Sequence, residues 1–101
     1  MAARPLEQYD AAVRDVTDRR GSVYGHPADD FDRAARLKAV VQECQDPVIR
    51  HALEMICVKM ARLIETPGHV DSWIDIAGYS RCGVMCIDRR QEAKGDAPTD
   101  P

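Results

Sequence analysis

The residues best equipped for chemistry sit at helical spacing between positions 59 and 79. Asp71 and Asp75 are four apart, so on a helix both carboxylates share one face. Two carboxylates on one face repel unless a cation or a proton sits between them. Lys59 and Arg62 precede them on a largely apolar helix, and a helical wheel places the two cations near each other. Carboxylates following cations after a tight turn make either an internal salt-bridge network or a site for a phosphate, and the spacing admits both. Tyr79 shares the face of Asp75, and His69 stands just before the pair. A second group lies in the connector GSVYGHP at 21–27. There Tyr24 and His26 bring polar rings to the start of a helix, whose free amides suit an anion. The alternative is a structural turn, and Asp29 and Asp30 at the positive end of that helix oppose a bare phosphate.

The elements that must position these groups are helices. Leu6, Tyr9, Val13 and Val16 recur at three- and four-residue steps, which predicts a first helix over 5–20 with one narrow apolar stripe. Arg19, Arg20 and Gly21 suit its C-terminal end. The narrow stripe is also a seam on which a second subunit could pack. A second helix is expected over 27–45, started by Pro27, with Phe31, Ala34, Ala35, Leu37, Val41 and Cys44 inside and an exposed Asp32–Arg36 pair outside. Asp46-Pro47 is a cap followed by a first-turn proline. It opens a third helix to Glu65 that is apolar over most of its circumference and therefore central.

Thr66-Pro67-Gly68 cannot continue a helix. The fourth helix is expected over 72–91, with Ser72 as N-cap and Asp75 as its capping-box partner. Its face carries Gly78, Cys82 and Cys86 at four-residue steps, flanked by Ala77 and Gly83, a small-residue row that lets another helix approach closely. The sum is an all-α, compact bundle of about four helices, one domain over 1–92, with a polar disordered tail over 93–101. About 100 residues make a modest core, so a homo-oligomer is expected.

The 101 residues are 45% hydrophobic and 31% charged, with a formal net charge of −3. That balance gives no general attraction to nucleic acid or an anionic membrane. No apolar run reaches the roughly 18 residues of a membrane span, and MAARPLEQYD has no signal-peptide core, so a cytoplasmic protein is expected. The four cysteines lack metal-ligand spacing and read as small buried hydrophobes.

Three strings carry a resemblance: YGHPADDF at 24–31, KMARL at 59–63 and HVDSWIDIAGY at 69–79. Together they resemble a group of small phage and prophage proteins that share a domain of unknown function, and the related nucleotide-modification-associated domains. A weaker similarity is to the all-α nucleoside triphosphate pyrophosphohydrolases of the MazG type, which bind magnesium through acidic motifs on two helices. Asp71 and Asp75 would stand for the second of those motifs; the first has no full counterpart here.

The resemblance implies a link to nucleotide metabolism. The expectation is a nucleotide-binding protein that sequesters a nucleotide signal or serves base modification. Lys59 and Arg62 would hold phosphate, Tyr24 or Tyr79 would stack on a base, and His26, His69, Asp71, Ser72 and Asp75 would complete the site. No cofactor is required by that reading. The alternative is a magnesium-dependent pyrophosphohydrolase with Glu54, Asp71 and Asp75 as metal ligands. A helical protein-interaction module without catalysis is a third reading.

Overall fold

A computed structural model describes residues 2–95, and the expected tail lies mostly outside them. The chain forms four helices: α1 (Pro5–Tyr24), α2 (Pro27–Val41), α3 (Pro47–Glu65) and α4 (Val70–Ala93). Among the described residues there is no strand.

The boundaries show which local signals decide. α1 runs through Gly21 and stops at Gly25, whose φ of 76° lies in the left-handed region that favours glycine. A Cβ at Gly25 would stand 3.0 Å from the Glu65 carboxyl, so this glycine also lets the elbow close on α3. α2 ends four residues short of its expected end. Residues 42 and 43 turn instead, and Asp46 takes the extended conformation that a residue before proline prefers.

α3 begins as its sequence dictates. Asp46 Oδ1 accepts hydrogen bonds from the Val48 and Ile49 amides at 3.0 and 3.3 Å. The same carboxylate takes a two-pronged bond from Arg90, one arm at 2.9 Å, which ties the end of α4 to the start of α3. α4 starts two residues early. His69 holds the cap position, and its amide bonds to the Thr66 carbonyl at 3.0 Å. Ser72 is therefore inside the first turn rather than the N-cap, and it forms no capping box with Asp75.

α3 is the central element. α2 and α4 both pack on it and make no contact with each other, while α1 touches only α2 and α3. The largely apolar circumference of α3 explains this role. The buried apolar residues are Ala34, Cys57, Ala61 and Leu63. Burial pushes the Cys57 thiol up, so it stays protonated and behaves as a small hydrophobe.

The expected compactness does not hold. The molecule measures 61 × 34 × 25 Å, with a radius of gyration of 18.3 Å, against about 12.7 Å for a compact chain of this length. No residue of α1 is buried. Phe31 and Ala35, expected inside, are exposed, as is Cys82. The small-residue row divides: a Cβ at Gly83 would lie 3.9 Å from Ala52 of α3, whereas one at Gly78 would meet open space.

Candidate functional site

The C-terminal ends of α1 and α3 meet the N-terminal ends of α2 and α4 at one junction, and Tyr24 is its hub. The Arg62 guanidinium carbon lies 4.4 Å from the Tyr24 ring centroid and that of Arg20 lies 5.6 Å away. The His69 ring meets Tyr24 edge-on, with centroids 5.5 Å apart and planes at 88°. His69 Nδ1 is 2.8 Å from Ser72 Oγ, and Ser72 is 1% exposed. The Thr66 hydroxyl donates to the Val23 carbonyl, and Arg33 bonds Glu65 at 3.0 Å. Four of the residues expected at a site, Tyr24, Arg62, His69 and Ser72, are thus brought into one connected group.

The others are placed differently. Lys59 Nζ lies 3.0 Å from Asp75 Oδ2, with the lysine side chain largely buried and the carboxylate half-exposed. That pair is the internal salt bridge, and it neutralises the lysine that the sequence reading assigned to phosphate. His26 is the cap of α2: its Nδ1 accepts from the Ala28 amide at 3.0 Å. Asp71 is exposed and Tyr79 half-buried; neither takes part in the junction. Among the described residues no three His, Cys, Asp or Glu side chains are grouped to hold a metal ion, so Glu54, Asp71 and Asp75 do not form a cation site within one chain.

One feature of the junction escaped the sequence reading. Asp30, in the first turn of α2, is 5% exposed. Its Oδ1 is buried without a hydrogen-bond partner, and so is Nε of Arg62. Both residues line a cleft of about 240 Å³ between α2 and α3, together with Phe31, Lys38 and Val58. A smaller adjoining cleft of about 100 Å³ shares Asp30 and Phe31 and adds Arg20, Tyr24 and Gly25. Three cations and one carboxylate line the two clefts, with the ring of Phe31 exposed at both. A signal for Asp30 was present: it precedes Ala34 by four and Leu37 by seven, on the inner stripe of α2.

A lining of this kind can do two things at once. Arginine offers a planar fork of donors to an anion. A buried carboxylate oxygen without a donor accepts an N–H or O–H. A ligand that carries both an anionic oxygen and a donor satisfies both sides, and an exposed aromatic face adds a surface for a flat ring.

A family model for a domain of unknown function (DUF6378) matches residues 7–87. The gene 55 protein of Mycobacterium phage D29 is 38% identical over 71 residues, which are 70% of this chain and 47% of that protein. The chain thus spans about half the length of that curated relative. No solved structure matches it.

Proposed function

The chain belongs to the DUF6378 family, and from that premise we propose that it binds a nucleotide in the clefts around Asp30 and Arg62. The observation that carries this reading is the pair of buried, partnerless polar atoms, Asp30 Oδ1 and Arg62 Nε, on one cleft. Each such group costs roughly 1–3 kcal/mol while unsatisfied, so a ligand that satisfies both regains that penalty on binding. A nucleotide carries phosphate oxygens for the arginines, hydroxyl and amine donors for Asp30, and a flat base for Phe31. Arg62 keeps the phosphate role expected of it, joined by Arg20 and Lys38. The role of Lys59 passes to the salt bridge, and the Asp71–Asp75 segment closes the fold rather than the site.

The phage relative and the likeness of the KMAR segment at 59–62 and the DSWID segment at 71–75 to nucleotide-modification-associated domains support a ligand from nucleotide metabolism, met in the cytoplasm of a bacterial host. Magnesium-dependent pyrophosphate hydrolysis of the MazG type needs a carboxylate cluster, and none is assembled among the described residues. Binding without reaction is therefore the favoured form, with sequestration or delivery of a nucleotide as its use.

The test is a thermal-shift screen of nucleoside mono-, di- and triphosphates and cyclic oligonucleotides, each with and without magnesium. A ligand at a hundred times its dissociation constant adds about 2.7 kcal/mol. The expected hit disappears in Asp30→Asn and Arg62→Gln and persists in Asp75→Asn, which loses stability with and without ligand. A hit that survives Asp30→Asn and Arg62→Gln, or a panel with no hit, overturns the proposal. The second outcome leaves a helical interaction module.

A further inference from the structure

The largest unexplained feature of the molecule is the apolar surface it leaves in water. The chain exposes 7853 Å², whereas a compact monomer of 11.3 kDa exposes about 5,700 Å². The excess, roughly 2,100 Å², lies within what one subunit of an obligate homodimer buries, roughly 1,000–2,500 Å² per partner. A small ligand cannot cover an area of that size.

Among the described residues, ten of the sixteen exposed large apolar side chains lie on two elements. α1 is a helix of 20 residues without one buried side chain. Leu6, Tyr9, Val13 and Val16 stand at steps of three, four and three and are all exposed, Leu6 at 69%. These steps make a coiled-coil-type seam, the pattern by which one helix packs on another. Yet the residues of α1 that touch the body lie at its C-terminal end, around Thr17, Arg20, Val23 and Tyr24. The N-terminal two-thirds of α1 is an arm with an apolar stripe and nothing beneath it. The second element is α4, whose outer face exposes Ile74, Val84 and Met85, with open space over Gly78.

We infer that the α1 seam and the outer face of α4 are covered by a second copy of this chain. The area argues for a copy rather than a short peptide. Charge argues for it as well. Arg81 and Asp88 are seven apart, on one face of α4 between Val84 and Met85. Among the described residues Arg81 has only the Met85 sulfur as a partner, at 3.3 Å. A face that carries one cation and one carboxylate across its apolar centre is complementary to itself when turned through a two-fold axis. There Arg81 of each copy meets the carboxylate of the other, and Val84 meets Met85. Two-fold pairing is also the commonest closed assembly. The inference does not rest on the nucleotide reading: no residue of α4 lines the Asp30 clefts, although the α1 stripe runs on into Thr17 and Arg20, which line the smaller one.

Sedimentation equilibrium of the unliganded full chain, with thermal midpoints across a hundredfold range of concentration, tests it. The expected result is a species of at least twice 11.3 kDa whose midpoint rises by about 6 °C over that range. Val13→Asp on the arm and Arg81→Asp on α4 should each weaken association at least tenfold. Arg81→Asp combined with Asp88→Arg should restore it. A folded 11.3 kDa species with a concentration-independent midpoint overturns the inference. So does a dimer that tolerates both Val13→Asp and Arg81→Asp, since it must use another surface. The wild-type measurement decides even if a variant fails to fold.

Discussion

Replacing Asp30 by alanine should make the ligand-free protein more stable and deaf to nucleotide. The carboxylate is 5% exposed, its Oδ1 has no hydrogen-bond partner, and no cation among the described residues pairs with it. A buried polar group left unsatisfied costs roughly 1–3 kcal/mol, and a charged one costs more. Two smaller effects oppose the gain. An acidic side chain in the first turn of α2 gains about 0.3–1 kcal/mol from the helix dipole. Truncation also removes a few methylene-scale contacts with Phe31 and Ala34, partly forfeited already because the side chain borders an open cleft. The balance is a net gain of about 1 kcal/mol. In a domain of this size that raises the midpoint by about 4–8 °C. Asp30→Asn should gain less, since it removes the charge but buries an amide that needs partners of its own. The assay is urea unfolding followed by helical circular dichroism at one fixed protein concentration, paired with the nucleotide thermal shift. A loss of more than about 1 kcal/mol in Asp30→Ala without ligand would refute the reasoning. It would mean that the carboxylate already has a structural partner, and the cleft would lose its claim on a ligand.

Two further outcomes follow from particular contacts. Gly25→Ala should cost about 2 kcal/mol in urea unfolding, because alanine resists a φ of 76° and its Cβ would press on the Glu65 carboxyl at 3.0 Å; in a Glu65→Ala background the steric part should vanish and the backbone part remain, and an unchanged midpoint in either background would contradict the elbow geometry. Asp46 gives a pH dependence: the Arg90 guanidinium, and behind it the Val48 and Ile49 amides, hold its carboxyl well below the ordinary 3.8. A group whose value is depressed by folding contributes its stability above the ordinary value and loses it as pH falls towards the folded one. Acidification from about pH 5 to pH 2 should therefore destabilise the wild type more than Asp46→Asn; equal losses in thermal midpoint would speak against the pair.

The helices were legible because their signals are local. Pro5, Pro27 and Asp46-Pro47 mark three starts, and the apolar circumference of α3 marks the centre. What was not legible was what each face meets. Phe31 and Ala35 read as inner residues because periodicity reports an apolar stripe and not the presence of a partner. The narrow stripe of α1 was legible as a stripe, but no sequence signal shows that its own chain leaves it bare.

The site was half legible for the same reason. Tyr24, Arg62, His69 and Ser72 come together at the junction. Lys59 was assigned to a ligand although Asp75 was the neighbour its spacing supplied. Asp30 was read as an acidic first turn, where the dipole gives a sufficient reason for it. Its place on the same stripe as Ala34 and Leu37 was the stronger clue. His26 caps α2, and the cap expected of Ser72 falls to His69, since the turn that bonds the His69 amide to the Thr66 carbonyl sets the boundary of α4 rather than side-chain type.

The arrangement of α2 and α4 on opposite sides of α3 has a kinetic consequence. α2 with α3, and α3 with α4, are joined by five and four residues respectively, so each is a hairpin that closes a short loop. Their contacts are local in sequence, the condition for fast folding, within microseconds to milliseconds. The link that fixes α1 is different: Thr66 reaches back 43 residues to Val23. The two hairpins can thus form around α3 before the elbow at Gly25 closes, and the smaller cleft beside Asp30, which Arg20 and Tyr24 of α1 help to line, comes into being only with that last step. The larger cleft, between α2 and α3, needs only the first hairpin, so the two clefts form at separate steps.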